Sequence, residues 1–194
     1  MPSAGKLFVI SAPTGGGKTT LAKRTFEQLH AQGLVEKVVT YTTRQQRLHE
    51  QDRIDYHFVS HTDFITKQKI GFFLETTSYD GHLYGCPRNI IDLISNGKSF
   101  ILVTDRVGAK TIKRLYPTAM LIWFDVPSLA ILTERLKKRG REAGEELARR
   151  IAIASQEIKI EAEESIFDYH IMNDDFETAS AQLTMLIKQK LQQN

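Results

Sequence analysis

The sequence predicts an α/β fold in which a parallel β-sheet is covered by helices on both faces. Three continuous apolar runs, at residues 6–11, 99–104 and 119–124, support this prediction. Each run is followed by a segment whose apolar residues have helical spacing. Strands that are buried on both faces are apolar throughout, whereas half-exposed strands alternate. We therefore expect a three-layer α/β/α core.

The predicted elements follow one another in the order that such a core requires. The first helix covers residues 19–31 and ends near Gly33, because glycine is common just after a helix C-terminus. Helices at residues 109–115 and 128–138 follow the second and third apolar runs. A short strand at residues 169–172 then precedes a final helix that begins at about Phe176.

One stretch, from about residue 37 to residue 84, departs from this alternation. It contains strand-like runs (KVVTYTT, YHFV and FFLETTSY), a helix at residues 62–70 and a typical hairpin turn at Asp80-Gly81. We expect a single domain over residues 4–188. Its core would comprise residues 4–35 and 94–188, and a small, mostly antiparallel insert would cover about residues 36–93.

Composition excludes several classes of protein. The chain has 194 residues, and its net charge of +3 is too small to indicate nucleic-acid binding. Cys86 is the single cysteine, so an internal disulfide and the common zinc patterns are excluded. No secretion signal and no run long enough to cross a bilayer is visible. We expect a cytoplasmic protein without membrane partners.

A glycine-rich loop, APTGGGKT at residues 12–19, lies between the first strand and the first helix. Its backbone N–H groups and the helix N-terminus suit a phosphate, Lys18 can reach the β- and γ-phosphates, and the Thr19 hydroxyl suits Mg²⁺. Ala12 replaces the usual first glycine. The loop indicates a nucleoside triphosphate, but hydrolases, synthetases and kinases all share it. The predicted ATP-binding residues here are Ala12, Pro13, Thr14, Gly15, Gly16, Gly17, Lys18, Thr19 and Thr20.

A basic segment lies further along the chain. Residues 135–150 contain seven basic side chains against three acidic ones. Such a surplus suits a highly charged anionic ligand, although a solvated helix face has the same composition.

Further motifs resemble guanylate kinases in order and spacing. They are SAPTGGGKTT, TYTTRQQR, DYHFVS, FLETTSYDGHLYG, a strand that ends in Asp105 before Gly108-Ala109, RLKKRGRE and IMNDD, and they extend from Ser11 to Asp175. The resemblance implies a nucleoside monophosphate kinase of purine metabolism that transfers the γ-phosphoryl group of ATP to GMP with Mg²⁺. It also implies a GMP-binding insert and a mobile lid at about residues 135–150.

The resemblance assigns an acceptor site to the insert. Arg44 and Arg47 match the arginines that grip the GMP phosphate, and arginine forks suit phosphate because they donate paired hydrogen bonds. Tyr56 and Tyr84 match tyrosines that reach the same phosphate. Cys86 stands where a Ser or Thr bonds that phosphate, and a thiol is a weaker donor.

The base of GMP is assigned to three other side chains. Glu75 matches the carboxylate that accepts hydrogen bonds from guanine N1–H and the 2-amino group, and Thr40 keeps a hydroxyl at the guanine edge. Asp105 matches a second acid near the base and the metal. Val103 stands two residues earlier, where the family commonly has an Asp, so one carboxylate of this network is missing.

The donor side completes the assignment. Arg139 and Arg150 match lid arginines, Arg135 matches a third basic position, and Asn173 matches a position near the adenine of ATP. Phosphoryl transfer requires that the attacking and leaving oxygens lie in line and that the charge on the oxygens of the transferred group is neutralised. The implied catalytic residues are Lys18, Arg44, Arg139 and Arg150.

Two alternatives stay open at the level of sequence. A kinase of the same fold could act on another small phosphate ester, as the departures at Val103 and Cys86 suggest. A guanylate-kinase-like module could instead bind protein partners without catalysis. The intact Lys18 and Thr19 argue against the second alternative.

Overall fold

A parallel sheet of five strands forms the centre of the computed structural model, which describes residues 4–138 and 144–193. The strands of the molecule are β1 (Leu7–Ser11), β2 (Glu36–Lys37), β3 (Tyr41–Thr42), β4 (His57–Phe58), β5 (Phe73–Tyr79), β6 (His82–Pro87), β7 (Phe100–Val103), β8 (Met120–Asp125) and β9 (Tyr169–Met172). The helices are α1 (Lys18–His30), α2 (His61–Lys69), α3 (Ile90–Ser95), α4 (Arg106–Leu115), α5 (Leu129–Lys138), α6 (Glu145–Glu163) and α7 (Phe176–Gln192). The central sheet has the order β2-β7-β1-β8-β9 with parallel neighbours throughout. The predicted α/β class is confirmed.

The two covered faces of the central sheet explain why the interior strand β1 is apolar from Leu7 to Ile10. Leu7 and Val9 of β1 point into a core cluster that includes Ile112 of α4 and Ile94 of α3. The intervening residues point to the opposite face, into a cluster formed with α1 and α7. Because both faces are covered, every position of β1 is fully buried, and a polar side chain would have no route to water.

A second sheet, in the order β4-β3-β6-β5, stands beside the carboxyl ends of the central strands. Its β3-β6 and β5-β6 pairs are antiparallel, and its β3-β4 pair is parallel. The β5-β6 hairpin turns at Asp80-Gly81, where both residues have positive φ angles of 53° and 74°. The mostly antiparallel insert expected from the sequence is therefore present.

The limits of the insert differ from the prediction. The run KVVTYTT is not one strand: Glu36 and Lys37 pair with β7 in the central sheet, whereas Tyr41 and Thr42 pair in the second sheet. The helix α3 was not predicted; it crosses the expected end of the insert at residue 93, and it packs on the central sheet. Two-residue strands and a six-residue helix carry too little periodicity to be recognised.

The long helix α6, which the sequence analysis missed, packs against α5. Leu132 and Leu136 of α5 and Ala154 of α6 form a small buried cluster, and Ile151 and Ile158 extend it along one face of α6. The expected lid at residues 135–150 thus covers the end of α5 and the start of α6. Among the residues that the structure describes, no helix is long and apolar enough to cross a membrane.

A buried ion pair fixes the C-terminal half of α6 to α4. The Arg106 Nε donates to Glu161 Oε2 at 2.8 Å, and the side chains are only 9% and 3% exposed. The Arg106 Nη2 also donates to the Glu164 carbonyl, and the second Glu161 oxygen accepts the N–H of Ile166. Most of the hydrogen-bonding capacity of the pair is therefore satisfied, which a buried charge requires.

We predict that Glu161→Ala lowers the free energy of unfolding by about 3–5 kcal/mol, because the Arg106 charge is left buried without its carboxylate. Urea denaturation of both proteins measures the difference. Glu163→Ala, at an exposed position of the same helix, is the control and should change stability by less than about 1 kcal/mol. Equal losses in the two variants would contradict the role of the buried pair.

Candidate active site

A cleft of about 660 Å³ lies between the carboxyl ends of β1 and β7 and the second sheet. Most residues that the sequence assigned to the site meet there, although they come from segments far apart in the chain. Those lining the cleft are Pro13, Thr14, Gly15, Gly17, Lys18, Thr19, Thr20, Thr40, Arg44, Arg47, Tyr56, Glu75, Tyr84, Cys86, Asp105 and Arg150.

Several other assigned residues in the described part of the chain do not line the cleft. Ala12 is buried in the core beneath the loop, and Gly16 faces Asn173. The Arg135 Nη2 donates to the carbonyl of Asp174 at 3.1 Å. Arg139 lies outside the described residues.

The glycine-rich loop is supported from below by Asn173, which directly follows β9. The buried Asn173 amide donates to the Gly16 carbonyl at 2.7 Å. Gly17 has a φ angle of 91°, and a Cβ at this position would lie 2.6 Å from the Asn173 Nδ2. Glycine is therefore required both by the backbone conformation and by the close approach of Asn173. In the structure Asn173 supports the loop through this hydrogen bond. The family resemblance had assigned it only to a position near the adenine of ATP.

One end of the cleft holds paired arginines. The Arg44 Nη2 donates to both oxygens of Glu50, at 2.7 and 3.0 Å, and its guanidinium lies 5.4 Å from the centre of the Tyr56 ring. The backbone N–H of Arg47 donates to Glu50 at 2.9 Å. Although burial acts to raise the pKa of Glu50, the hydrogen bonds and charges of the two arginines lower it overall. Glu50 thus fixes Arg44 between the carboxylate and aromatic rings.

The other end holds the carboxyl group of Glu75. Glu75 is 5% exposed and lines the cleft, yet its Oε1 has no hydrogen-bond partner among the described residues. Burial and, second, the charge of Asp105 raise the pKa of Glu75 to about 8. A buried acceptor of this kind is costly unless a ligand supplies donors. This end of the cleft therefore favours a ligand with hydrogen-bond donors.

The surroundings of Glu75 are formed by α4 and β6. Asp105 caps α4 by accepting the N–H of Gly108 at 2.8 Å, and a Cβ at Gly108 would lie 2.9 Å from Glu75 Oε1. Cys86 is the cross-strand neighbour of Glu75. The structure therefore places Cys86 beside this carboxylate, whereas the resemblance assigned it to the phosphate. Its thiol is buried and makes only a long contact, 3.8 Å, to the Pro87 carbonyl.

The N-terminal end of α6 meets the hairpin of the second sheet. Asp80 accepts hydrogen bonds from Arg149 and, at 3.4 Å, from Arg150. Burial acts to raise the pKa of Asp80, but both arginines lower it overall. Arg150 lies at the rim of the cleft, where its side chain is 15% exposed.

Two side chains that the sequence analysis did not select reach the loop itself. The Thr14 N–H donates to Glu157 Oε2 of α6 at 2.7 Å, and the Thr14 hydroxyl is hydrogen bonded to the hydroxyl of Tyr79. The Lys18 Nζ lies 5.9 Å from the centre of the Tyr79 ring. Burial raises the pKa of Glu157. The charge of Lys18 and the hydrogen bonds from Thr14 act to lower this pKa, but they do not cancel the effect of burial. Tyr79 lies within the motif FLETTSYDGHLYG, but nothing in that motif indicates a contact with the loop, and Glu157 lies in none of the quoted motifs.

Comparison with known proteins agrees with this geometry. The family model described as guanylate kinase matches residues 4–190. A guanylate kinase of Thermosynechococcus vestitus is 41% identical over 177 residues, which cover 91% of this chain and 90% of that protein. A guanylate kinase of Thermotoga maritima is 35% identical over 185 residues, which cover 95% of this chain and 86% of that protein.

Solved structures give the same result. A guanylate kinase from Anaplasma phagocytophilum superposes on this chain with a TM-score of 0.80 at 28% sequence identity. The superposition covers 100% of this chain and 89% of the Anaplasma chain. A shikimate kinase from Bacteroides thetaiotaomicron has a TM-score of 0.52 at 16% identity, covers 94% of this chain and 98% of its own, and so shares the fold alone.

We predict that Glu75 makes the stability of the empty protein fall as the pH rises. An unfolded Glu ionises near its ordinary pKa of 4.5, whereas folded Glu75 ionises near 8. Between these values the folded state binds more protons than the unfolded state, so stability is lost with rising pH. Glu75→Gln should therefore match the wild type near pH 4 and exceed its free energy of unfolding by about 3–5 kcal/mol near pH 9.

Denaturation at a series of pH values measures this effect. Glu134→Gln, at an exposed position of α5, is the matched control and should follow the wild type at every pH. If the difference in unfolding free energy between Glu75→Gln and the wild type did not change with pH, the pKa of Glu75 in the folded protein would not be raised.

Proposed function

Because the chain belongs to the guanylate kinase family of nucleoside monophosphate kinases, we propose that it transfers the γ-phosphoryl group of ATP to GMP, giving ADP and GDP. The observation that supports the choice of GMP is the buried Glu75, which lines the cleft and whose Oε1 has no hydrogen-bond partner in the described part of the chain. The acceptor-side arginines and the glycine-rich loop support the rest of the reaction.

Guanine is the base that suits Glu75. Its Watson–Crick edge offers two adjacent donors, N1–H and the 2-amino group, and both can bond one carboxylate. Adenine has an acceptor at N1 and no 2-amino group. Binding of AMP would leave the carboxylate desolvated without donors, which costs about 2–5 kcal/mol, or roughly 30- to 4,000-fold in specificity. Thr40, buried at the same wall, adds a hydroxyl at the guanine edge.

The phosphate of GMP is assigned to the opposite end of the cleft. Arg44 already bonds Glu50, but a guanidinium has five N–H donors and can accept a second anion. Arg47, Tyr56 and Tyr84 line the same end and can add donors. In this proposal Glu50 holds Arg44 in place before the phosphate arrives, so less side-chain freedom is lost on binding.

ATP is assigned to the loop and to Lys18. The residues present fit Mg²⁺ in the way that kinases use it, because the Thr19 hydroxyl lines the cleft at the start of α1. The described residues contain no group of three His, Cys, Asp or Glu side chains that could hold a metal, so ATP phosphates would provide most ligands. When bound, Mg²⁺ would neutralise charge on the β- and γ-phosphates.

Catalysis would then consist of alignment and neutralisation of charge. Lys18 and Arg44 approach the transferred group from the donor and acceptor sides, and Arg150 stands at the rim. Arg139, outside the described residues, is assigned to the lid with Arg150. Closure over the cleft would exclude water, which otherwise competes with GMP as the acceptor.

An ADP-release assay with ATP, Mg²⁺ and a panel of acceptors tests the proposal. The panel contains GMP, dGMP, AMP, UMP and a ribose bisphosphate. Turnover of GMP well above AMP and UMP supports it. Activity only on the ribose bisphosphate would favour the phosphate-ester kinase, and no activity on any acceptor would favour the protein-binding module.

We predict that Glu75→Gln reduces kcat/KM for GMP by about 30-fold or more, because an amide offers one acceptor where two donors must be met. The KM for ATP should stay within about twofold, since ATP is assigned to the other side of the cleft. Glu134→Gln again serves as the control, with unchanged kinetics for both nucleotides. Unchanged GMP kinetics in Glu75→Gln would remove Glu75 from the acceptor site.

We predict that Lys18→Ala lowers kcat by about 10²-fold or more with little effect on folding, because the lysine neutralises charge that develops during transfer. Lys23→Ala, at an exposed position of the same helix, should retain wild-type kcat. Single-turnover measurements and circular dichroism on the same samples separate loss of chemistry from loss of structure. Substantial activity in Lys18→Ala would mean that the phosphate loop is wrongly assigned.

A further inference from the structure

Thr14 lies at a junction between three parts of the molecule. Its N–H donates to Glu157 of α6 at 2.7 Å, and its hydroxyl is bonded to Tyr79 of β5. Thr14 itself belongs to the glycine-rich loop and is 4% exposed. The loop, the second sheet and α6 therefore meet through one residue.

The position of Glu157 along α6 gives this junction a consequence for Arg150. Residues seven apart on a helix are nearly two full turns apart and lie on the same face. Arg150 and Glu157 are separated in this way, so the face of α6 that bonds the loop is also the face that carries Arg150 to the rim of the cleft. A fixed Glu157 therefore fixes the rotation of α6 about its own axis. That rotation determines from which side the Arg150 side chain enters the cleft.

The remaining contacts of α6 hold other parts of the molecule: Arg149 and Arg150 at its N-terminal end bond Asp80 of the hairpin, not the loop. The face formed by Ile151, Ala154 and Ile158 packs against α5, and apolar contacts of this kind are not directional. The Arg106–Glu161 pair holds α6 to α4, one helical turn beyond Glu157. The bond between Thr14 and Glu157 is directional and charge-assisted, and it is made to the loop itself.

We propose that Glu157 is a positioning residue for phosphoryl transfer: by accepting the Thr14 N–H it holds α6, and with it Arg150, in register with the phosphate loop. This inference rests on the proposed function, because it assigns Arg150 to the transferred phosphoryl group. Glu157 itself touches no reacting atom in this scheme.

Two variants of the full chain separate position from charge. Glu157→Ala removes the acceptor, whereas Glu157→Gln keeps an acceptor oxygen and removes the charge. We expect Glu157→Ala to lower kcat by about 10- to 100-fold, the range of a hydrogen bond to a charged group. The KM for GMP should change by less than about threefold, because the guanine wall lies on the second sheet. Glu157→Gln should recover most of the lost kcat.

Gln156→Ala is the matched control, since Gln156 is the exposed neighbour of Glu157 on the same helix and should keep wild-type kinetics. Melting temperatures of all variants are measured in parallel. If Glu157→Ala fails to fold, the comparison of Glu157→Gln with the wild type still applies. A kcat for Glu157→Gln more than about tenfold below the wild type would then overturn the proposal.

The amide signal of Thr14 in ¹⁵N-labelled protein tests the bond without any catalysis. A charge-assisted hydrogen bond shifts the amide proton downfield, so the signal should move upfield in Glu157→Ala and lie between the two in Glu157→Gln. A wild-type protein that shows this pattern but does not phosphorylate GMP would refute the proposed function and leave the contact intact.

Three results would overturn the inference. The first is a wild-type kcat in folded Glu157→Ala. The second is an unchanged Thr14 amide signal. The third is tighter ATP binding in Glu157→Ala, measured with a fluorescent ATP analogue, which would mean that Glu157 competes with the phosphates for the loop.

Discussion

The fold depends on holding a glycine-rich loop open at the end of a fully buried strand. In the proposed function the backbone N–H groups of this loop bind phosphate oxygens, so the loop must be held in place mainly by other contacts. The surrounding elements hold it instead: Asn173 bonds Gly16 from below, Glu157 bonds Thr14 from α6, and Tyr79 bonds Thr14 from the second sheet. Each layer of the molecule therefore converges on the same few residues.

The two ends of the cleft represent opposite solutions to the burial of charge. At one end Arg44 is paired with Glu50, so the empty site is already satisfied electrostatically. At the other end Glu75 is buried beside Asp105, its Oε1 has no hydrogen-bond partner among the described residues, and burial raises the pKa of Glu75 because ionisation is disfavoured there. A site that discriminates by hydrogen bonding must keep such an unsatisfied group until the correct ligand arrives, so in the proposed function the specificity for GMP is obtained at the expense of stability.

Sequence predicted what is encoded locally and missed what arises between distant segments. The buried strands, the loop and the Asp80-Gly81 turn each carry their signal within about ten residues. Glu50 and Glu157 carry none, because acidic residues are usually solvated and only the fold brings these two to an arginine and a loop amide. The run KVVTYTT does not form one continuous strand, for a related reason. The chain passes from the central sheet to the second sheet within this run, and no change in the alternation of apolar and polar residues marks the passage.

The contacts of α6 differ in strength from one end to the other. Its C-terminal half is held by Arg106 and Glu161, a buried pair with further hydrogen bonds. Its N-terminal end is held through Arg149, Arg150 and Asp80, and the Arg149–Asp80 pair is open to solvent, which screens its charges. In the proposed function a phosphate, which has more charge and more oxygens than a carboxylate, replaces Asp80 as the partner of Arg150. A helix that is fixed at one end and exchangeable at the other has the properties that a lid requires, and the Glu157 bond to the loop lies between the two.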